Sequence, residues 1–368
     1  MKDTLRNLML RVTRFARPGG LREAAAAIQR AFARPAPRPV PKAEVIDDDI
    51  TIIEDHELRI EPARDDGAEG SFIADSFGNS AGTRDYKLYV PSGASPHGLA
   101  LVVMLHGCKQ NPDDFALGTG MNRRAQQQGC LVLYPGQSRA VNSLGCWNWF
   151  QQDNQQRDGG EPSIIADLTR HIIASYAVDP RRVYVAGLSA GGAMAAIMAA
   201  TYPELYAAVG IHSGLAHAAA HDLVSALKAM RIGPAPRDEV PAPGERRVVP
   251  TIVFHGDRDE TVHPNNGDQV IAQARVAAGS GAAAETDEAE TAGLVGVVVE
   301  SGEVAQGHAY TRTIHRDAQG RCDAEHWLVH GAAHAWSGGQ PGGSYTDPLG
   351  PDASTEMLRF FFEHPQRE

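Results

Sequence analysis

One decapeptide constrains this chain more than any other stretch: Val183-Tyr184-Val185-Ala186-Gly187-Leu188-Ser189-Ala190-Gly191-Gly192, followed by Ala193-Met194-Ala195-Ala196-Ile197-Met198-Ala199-Ala200. The first four residues are apolar throughout, as in a parallel strand buried on both faces. The Ala/Met/Ile run that follows has good helix propensity. Between them, Gly-x-Ser-x-Gly predicts a sharp strand-to-helix turn, in which the glycines let the backbone pass closely and the serine hydroxyl stands clear at the end of the sheet. Ser189 is therefore the candidate nucleophile, with a helix N-terminus beneath it.

The rest of the chain repeats the same alternation. Arg84–Val90 has period-two patterning that suits an antiparallel hairpin near an edge, with Phe72-Ile73-Ala74 and Glu57–Ile60 as shorter strand candidates. Leu99–Leu105, Leu131–Tyr134, Ala207–Ile211, Pro250–Phe254 and Glu325–Val329 read as further strands. Pro112–Gln128, Ile164–Tyr176 and Ser354–Phe362 read as helices. Strands apolar through their full width, alternating with helices, predict an α/β fold with a doubly wound, mostly parallel sheet. Residues 50–368 form this catalytic domain. Within it, 216–248 has the composition of a cap or lid insertion and 278–293 that of a flexible surface insertion.

A separate head precedes it. Leu5, Leu8, Val12 and Phe15, then Leu21, Ala25, Ile28 and Phe32, fall at helical spacing on either side of Pro18-Gly19-Gly20. Residues 1–33 thus read as an amphipathic helical hairpin and 34–49 as a Pro-rich linker. Residues 1–42 carry ten Lys/Arg against Asp3 and Glu23, a net +8, so the remainder of a chain with net charge −11 carries −19. An acidic body gives no reason to bind nucleic acid, whereas the head suits packing on its own domain or on a second subunit, or contact with an apolar granule or an anionic surface. Leu8-Met9-Leu10 is too short for the apolar core of a signal peptide, so a cytoplasmic location is expected, with an extracellular one as the alternative. No apolar run approaches the roughly 20 residues of a membrane span.

A serine nucleophile needs a base and a carboxylate to orient that base. On such a fold both come later in the chain, on loops that follow strands. His255-Gly256-Asp257-Arg258-Asp259-Glu260 follows one strand. Asp259 is favoured over Asp257 and Glu260 because the loop has cleared the strand end by that point. His330-Gly331-Ala332-Ala333-His334 follows the last strand, and the small-residue turn favours His334 over His330. His255 and His263 read as structural. The backbone amides of Ala190 and Cys108 are the expected oxyanion donors, with Lys109 as the neighbour of Cys108 to be weighed against it. Trp147, Trp149 and Trp336 lie on loops beside these segments, and either wall an apolar substrate pocket or pack in the core. The four cysteines form no Cys-x-x-Cys pair and no His-Glu-x-x-His occurs, so no metal site is expected. Cys108 and Cys146 flank the site and are the candidates for a single bridge, with free buried thiols as the other reading.

Taken together, Leu105-His106-Gly107-Cys108-Lys109-Gln110, Cys146-Trp147-Asn148-Trp149-Phe150, Gly187–Met194, His212-Ser213-Gly214, Asp259, His334–Gly339 and Gly343–Asp347 resemble the poly(3-hydroxybutyrate) depolymerase family of esterases. That family is a branch of the α/β-hydrolases that includes feruloyl and acetylxylan esterases. The resemblance spans roughly residues 83–363. It implies an α/β-hydrolase fold and cofactor-free serine esterase chemistry on Ser189, Asp259 and His334, through an acyl-enzyme. The substrate would be a polyhydroxyalkanoate-type polyester or oligomer, with a feruloyl or acetylated carbohydrate ester as the enzymatic alternative. A granule-associated binding protein with a vestigial site is the alternative of another class.

Overall fold

A computed structural model describes residues 70–95, 97–233, 249–277, 296–317 and 319–366. The expected hairpin 1–33, the linker 34–49, the Glu57–Ile60 strand and the insertion 278–293 lie outside the described residues.

The domain is built on one ten-stranded sheet. In chain order its strands are β1 (Ser71–Asn79), β2 (Gly82–Val90), β3 (Leu99–Leu105), β4 (Leu131–Pro135), β5 (Val178–Leu188), β6 (Ala208–His212), β7 (Thr251–Gly256), β8 (Val297–Glu303), β9 (Ala309–Arg316) and β10 (Cys322–Val329). Their order across the sheet is β1-β2-β4-β3-β5-β6-β7-β10-β9-β8. The five junctions from β4 to β10 are parallel, and the two outer junctions on each side are antiparallel.

Burial explains this arrangement. β3, β4, β6 and β7 are buried along their whole length, which only the middle of a sheet covered on both faces provides. Alternate residues feed two separate cores. Leu101, Val103 and Leu105 pack with Ile165, Leu168 and the elbow helix, while Val102 and Met104 pack with Phe115, Met121, Phe360 and Phe361 on the other face. The helices supplying those faces are α1 (Pro112–Thr119), α2 (Met121–Gln128), α3 (Gly160–Ser175), α4 (Ala190–Thr201), α5 (Leu223–Ile232), α6 (Asn265–Ala277) and α7 (Ala353–Glu363). This is the doubly wound α/β-hydrolase architecture.

The structure corrects the sequence reading at three points. The single helix expected over 112–128 is two, because Gly120 adopts φ 60° and its N–H closes the first helix onto Ala116 O and Leu117 O. The antiparallel extension β8–β9 and the helix α6 were not anticipated. β8 shows little burial: its opening Val297-Val298-Val299 run leaves Val297 and Val299 exposed, and Glu300 and Glu303 follow. Of the expected cap 216–248, the described part contains α5, started by a capping box between Asp222 and Ser225. Its end is tied to the loop after β7, where His263 N–H donates to Met230 O at 2.7 Å and Asn266 Nδ2 to Ala229 O at 2.9 Å.

Candidate active site

β5 delivers a fully buried run, Val183–Leu188, to the turn, and α4 begins immediately after it. Ser189 sits between them at φ 58°, ψ −118°, a backbone conformation that non-glycine residues rarely adopt. Its N–H donates to His212 O at 2.9 Å, and its carbonyl accepts from Ala193 N at 2.9 Å. The flanking glycines are required by contact. A Cβ on Gly187 would lie 2.3 Å from Gly191 O, and one on Gly191 would lie 2.0 Å from Leu105 O.

Asp259 and His334 meet at the same end of the sheet. The Asp259 side chain is fully buried: Oδ1 accepts the N–H groups of Thr261 and Val262, both at 2.8 Å, and Oδ2 lies 2.6 Å from His334 Nδ1. Burial pushes the carboxyl pKa up, but the charge of His334 and hydrogen bonds from His255 and His334 outweigh it and hold the group well below the usual carboxylate range. An ionised Asp259 fixes the His334 tautomer with the proton on Nδ1, which leaves Nε2 as the basic nitrogen. Among the described residues, no hydrogen bond joins Ser189 Oγ to His334. The two segments are tied instead through His212, whose carbonyl takes the Ser189 N–H and whose Nε2 takes the Ser337 N–H at 2.9 Å. His212 is buried, which holds its pKa well below the ordinary imidazole value, with the charges of His255 and His334 adding to the effect. A neutral His212 can serve as that acceptor.

The competing residues have other partners. Asp257 accepts from Gly331 N at 2.7 Å and lies 3.1 Å from His330 Nδ1, while His330 Nε2 lies 2.8 Å from Thr311 Oγ1. His255 is buried, with Nε2 2.8 Å from Val262 O and 3.5 Å from Asp259 Oδ2. Glu260 is exposed. His263 Nδ1 accepts from Asn265 N at 3.2 Å.

The loop after β3 lies against the elbow, since a Cβ on Gly107 would be 3.6 Å from Ser189 Cβ and 3.4 Å from Leu188 O. The amides of this loop differ in what they bond. Gly107 N–H donates to Gln110 Oε1, Lys109 N–H to Leu144 O at 2.8 Å, and Gln110 N–H back to Gly107 O. Among the described residues, the Cys108 amide has no such acceptor, which sets it apart from Lys109 as a donor to a ligand. Ala190, the first residue of α4, has an N–H that no carbonyl of its own helix can take. A disulfide joins Cys108 to Cys146, with Cα atoms 4.2 Å apart, so the loop after β3 is bolted to the segment carrying Trp147 and Trp149. Cys130 and Cys322 are free.

Two of the three tryptophans expected to wall a substrate pocket are closed off. Trp147 is 0% exposed and donates Nε1–H to His106 O. Trp336 is 1% exposed, donates Nε1–H to Ser354 Oγ, and stacks on His212 at 5.0 Å between ring centres. Each indole packs in the core with its polar atom satisfied, so neither offers a face to substrate. Trp149 is 6% exposed, as is Ser189, and meets the ring of Phe150 edge-on. Sequence reasoning missed the buried Glu161 and Gln137, which hold the Cys146–Asn148 segment. Among the described residues, no cluster of His, Cys, Asp and Glu could hold a metal ion, and no helix is long and apolar enough to cross a membrane.

Comparison with known proteins gives the same architecture a family. A family model described as esterase PHB depolymerase matches residues 84–301. Poly(3-hydroxyalkanoate) depolymerase C of Paucimonas lemoignei is 34% identical over 209 residues, covering 54% of this chain and 49% of that protein. Feruloyl esterase B of Neurospora crassa is 38% identical over 120 residues, covering 32% and 40%. The chain thus spans half or less of the length of these curated relatives. Among solved structures, an acetyl xylan esterase from Aspergillus awamori aligns with a TM-score of 0.60 at 21% identity, covering 80% of this chain and all of that one. That likeness concerns the fold.

Proposed function

Since the chain belongs to the esterase PHB depolymerase family, we propose that it is a serine carboxylic ester hydrolase acting on polyhydroxyalkanoate-type polymers or oligomers. In this reading Ser189 Oγ attacks the ester carbonyl carbon while His334 Nε2 takes the hydroxyl proton. The carbonyl oxygen becomes an oxyanion facing the Cys108 and Ala190 amides. Collapse breaks the bond to the alkoxy oxygen, which leaves with the proton returned by His334. Water, deprotonated by the same nitrogen, then frees the acid from Ser189. The observation that carries the reading is the 2.6 Å contact of His334 with an Asp259 held by two backbone amides, on loops at the elbow's end of the sheet.

The test is direct. A serine-directed phosphonate should label Ser189, and Ser189→Ala should lose label and short-ester hydrolysis by at least about a thousandfold while keeping its fold. Labelling elsewhere, or activity retained in the variant, would refute the assignment. A panel of hydroxybutyrate oligomers against feruloyl and acetylated-sugar esters then fixes the substrate. The likeness to feruloyl esterase B makes carbohydrate esters the second reading, because fold and triad do not set specificity. Protein that binds polymer but turns over none of the panel would indicate a vestigial site.

Two further proposals concern where the enzyme works. The Cys108–Cys146 bridge favours an oxidising compartment over the expected cytoplasm, where thiols are kept reduced. For residues 1–42, the net charge of +8 beside two apolar stripes supports contact with polymer particles. Deleting them should weaken particle binding and spare turnover of a soluble ester. Joint loss of folding and activity would mean that they are a packing element.

A further inference from the structure

Glu161 is a carboxylate with 3% of its surface exposed, at the first turn of α3. Every donor around it belongs to the scaffold of the oxyanion loop or to the adjoining sheet. Its Oε2 accepts Asn148 N–H at 2.8 Å, and its Oε1 accepts Asn148 Nδ2 at 2.8 Å and Gln137 Nε2 at 2.5 Å. Arg84, buried in β2, approaches Oε1 to 3.6 Å. Gln137, together with Leu144, Cys146 and Trp147 of the segment that leads into Asn148, makes four separate ties to residues 106–109. Gln137 N–H donates to His106 Nε2 at 3.0 Å, Trp147 Nε1–H donates to His106 O at 3.1 Å, Leu144 O accepts Lys109 N–H, and the Cys146 sulfur is bonded to Cys108. Gln137 Nε2 also holds Cys146 O at 3.0 Å.

We propose that Glu161 is a positioning residue for the oxyanion donor. Its carboxylate fixes Asn148 and Gln137, and through them the Cys146 segment and the Cys108 amide. The inference rests on the proposed esterase reading. The charge is needed because both oxygens face donors only. A carboxamide would have to turn its NH2 against either Asn148 N–H or the Asn148 and Gln137 side-chain amides, and would strand Arg84 without its counter-ion. A shift in Cys108 by a fraction of an ångström weakens the donor where charge develops and leaves ground-state binding of a small ester alone.

The test is Glu161→Gln, with Asn148→Ala as a second variant that keeps the carboxylate and removes one donor. For a short soluble ester, Glu161→Gln should lower kcat by about tenfold, a fraction of the loss seen when a whole oxyanion donor is deleted, with KM unchanged. A trifluoromethyl ketone, whose serine adduct places an oxyanion in the same hole, should lose affinity by the same factor as kcat/KM. Asn148→Ala should show the same pattern at smaller size. Phosphonate titration to completion should count an undiminished fraction of reactive Ser189. The inference is overturned if ketone affinity is unchanged, or if the fall in rate merely matches fewer titratable sites, as a general folding defect would give. Should Glu161→Gln not fold, the Asn148→Ala measurements decide alone by the same criteria. Wild-type protein that neither hydrolyses esters nor takes the phosphonate would sink the esterase reading itself, an outcome visible before any variant is made.

Discussion

Asp257 and His330, the acid and the histidine passed over for the triad, are paired with each other: His330 Nδ1 lies 3.1 Å from Asp257 Oδ2. Each stands at a strand end, Asp257 just after β7 and His330 just after β10, where the two strands run parallel in register as far as Gly256 and Val329. The pair therefore closes the C-terminal ends of these two neighbouring strands, and it is further along the same loops that Asp259 Oδ2 meets His334 Nδ1 at 2.6 Å. Asp257 N–H donating to Val329 O and Arg258 N–H donating to Ala332 O continue the same stitching.

That geometry separates the two acids by experiment. Asp259→Asn should lower kcat by roughly 10³–10⁴-fold, because the amide favours the wrong His334 tautomer. Asp257→Asn should stay within a few-fold and cost mainly stability. Steady-state kinetics on both variants decides, and a crippling Asp257→Asn beside a mild Asp259→Asn would reverse the assignment.

Gly191→Ala should be among the most damaging single-methyl additions in the domain. The new carbon would stand 2.0 Å from Leu105 O and 2.6 Å from His106 O, both main-chain atoms with no freedom to move aside. A loss on the order of 4 kcal/mol is expected, at the extreme of point-mutant effects, read as a lowered denaturation midpoint or as insoluble protein. Midpoint and activity both close to wild type would mean that the elbow packs more loosely than described.

Cys146→Ser opens a loop of 38 residues. Chain entropy alone gives about 3–4 kcal/mol of lost stability, and residues 106–109 lose one of their four ties. Chemical denaturation should show the loss, and activity should fall further than Cys130→Ser, which touches a free buried thiol. Equal behaviour of the two variants would contradict the bridge.

Acid should destabilise the domain well before the carboxylates titrate. Burial lowers the pKa of His106, and of His326 with help from His255 and His315, from the usual 6.5 to about 4 in each case. Between those values the unfolded chain takes up protons that the folded one excludes, so stability is fully present above 6.5 and is lost as pH falls toward 4. The urea midpoint should drop across that window, and His326→Leu should flatten part of the slope. A midpoint independent of pH there would show that these imidazoles are not buried neutral.

What was legible in the sequence follows from which physical demands leave a residue signature. Strands covered on both faces must be apolar at every position, so Leu99–Leu105 announced itself. A strand-to-helix turn without room for side chains must be glycine, so Gly187 and Gly191 did too. The Asp259–His334 pairing was legible from chain order and loop placement. The orientation of Trp147 and Trp336 was not, because an indole with one polar atom fits a core acceptor as readily as a pocket wall. Glu161 was invisible for a related reason: it lies ahead of the helix expected over Ile164–Tyr176, and nothing local shows that amides of Gln137 and Asn148 converge on it. The break at Gly120 and the strand β8 did leave signals that were passed over, Gly118-Thr119-Gly120 inside 112–128 and the β-branched run Val297-Val298-Val299.

The backbone of Ser189 carries a further consequence. At φ 58° the residue sits where an L side chain costs roughly 1–3 kcal/mol, so the position at the tip of the elbow works against the durability of the whole domain. Glycine there would relieve the strain and should raise the unfolding temperature while silencing the chemistry. Selection for robustness and selection for turnover therefore pull one side chain in opposite directions, and a more heat-tolerant relative of this protein would have to find its gains elsewhere.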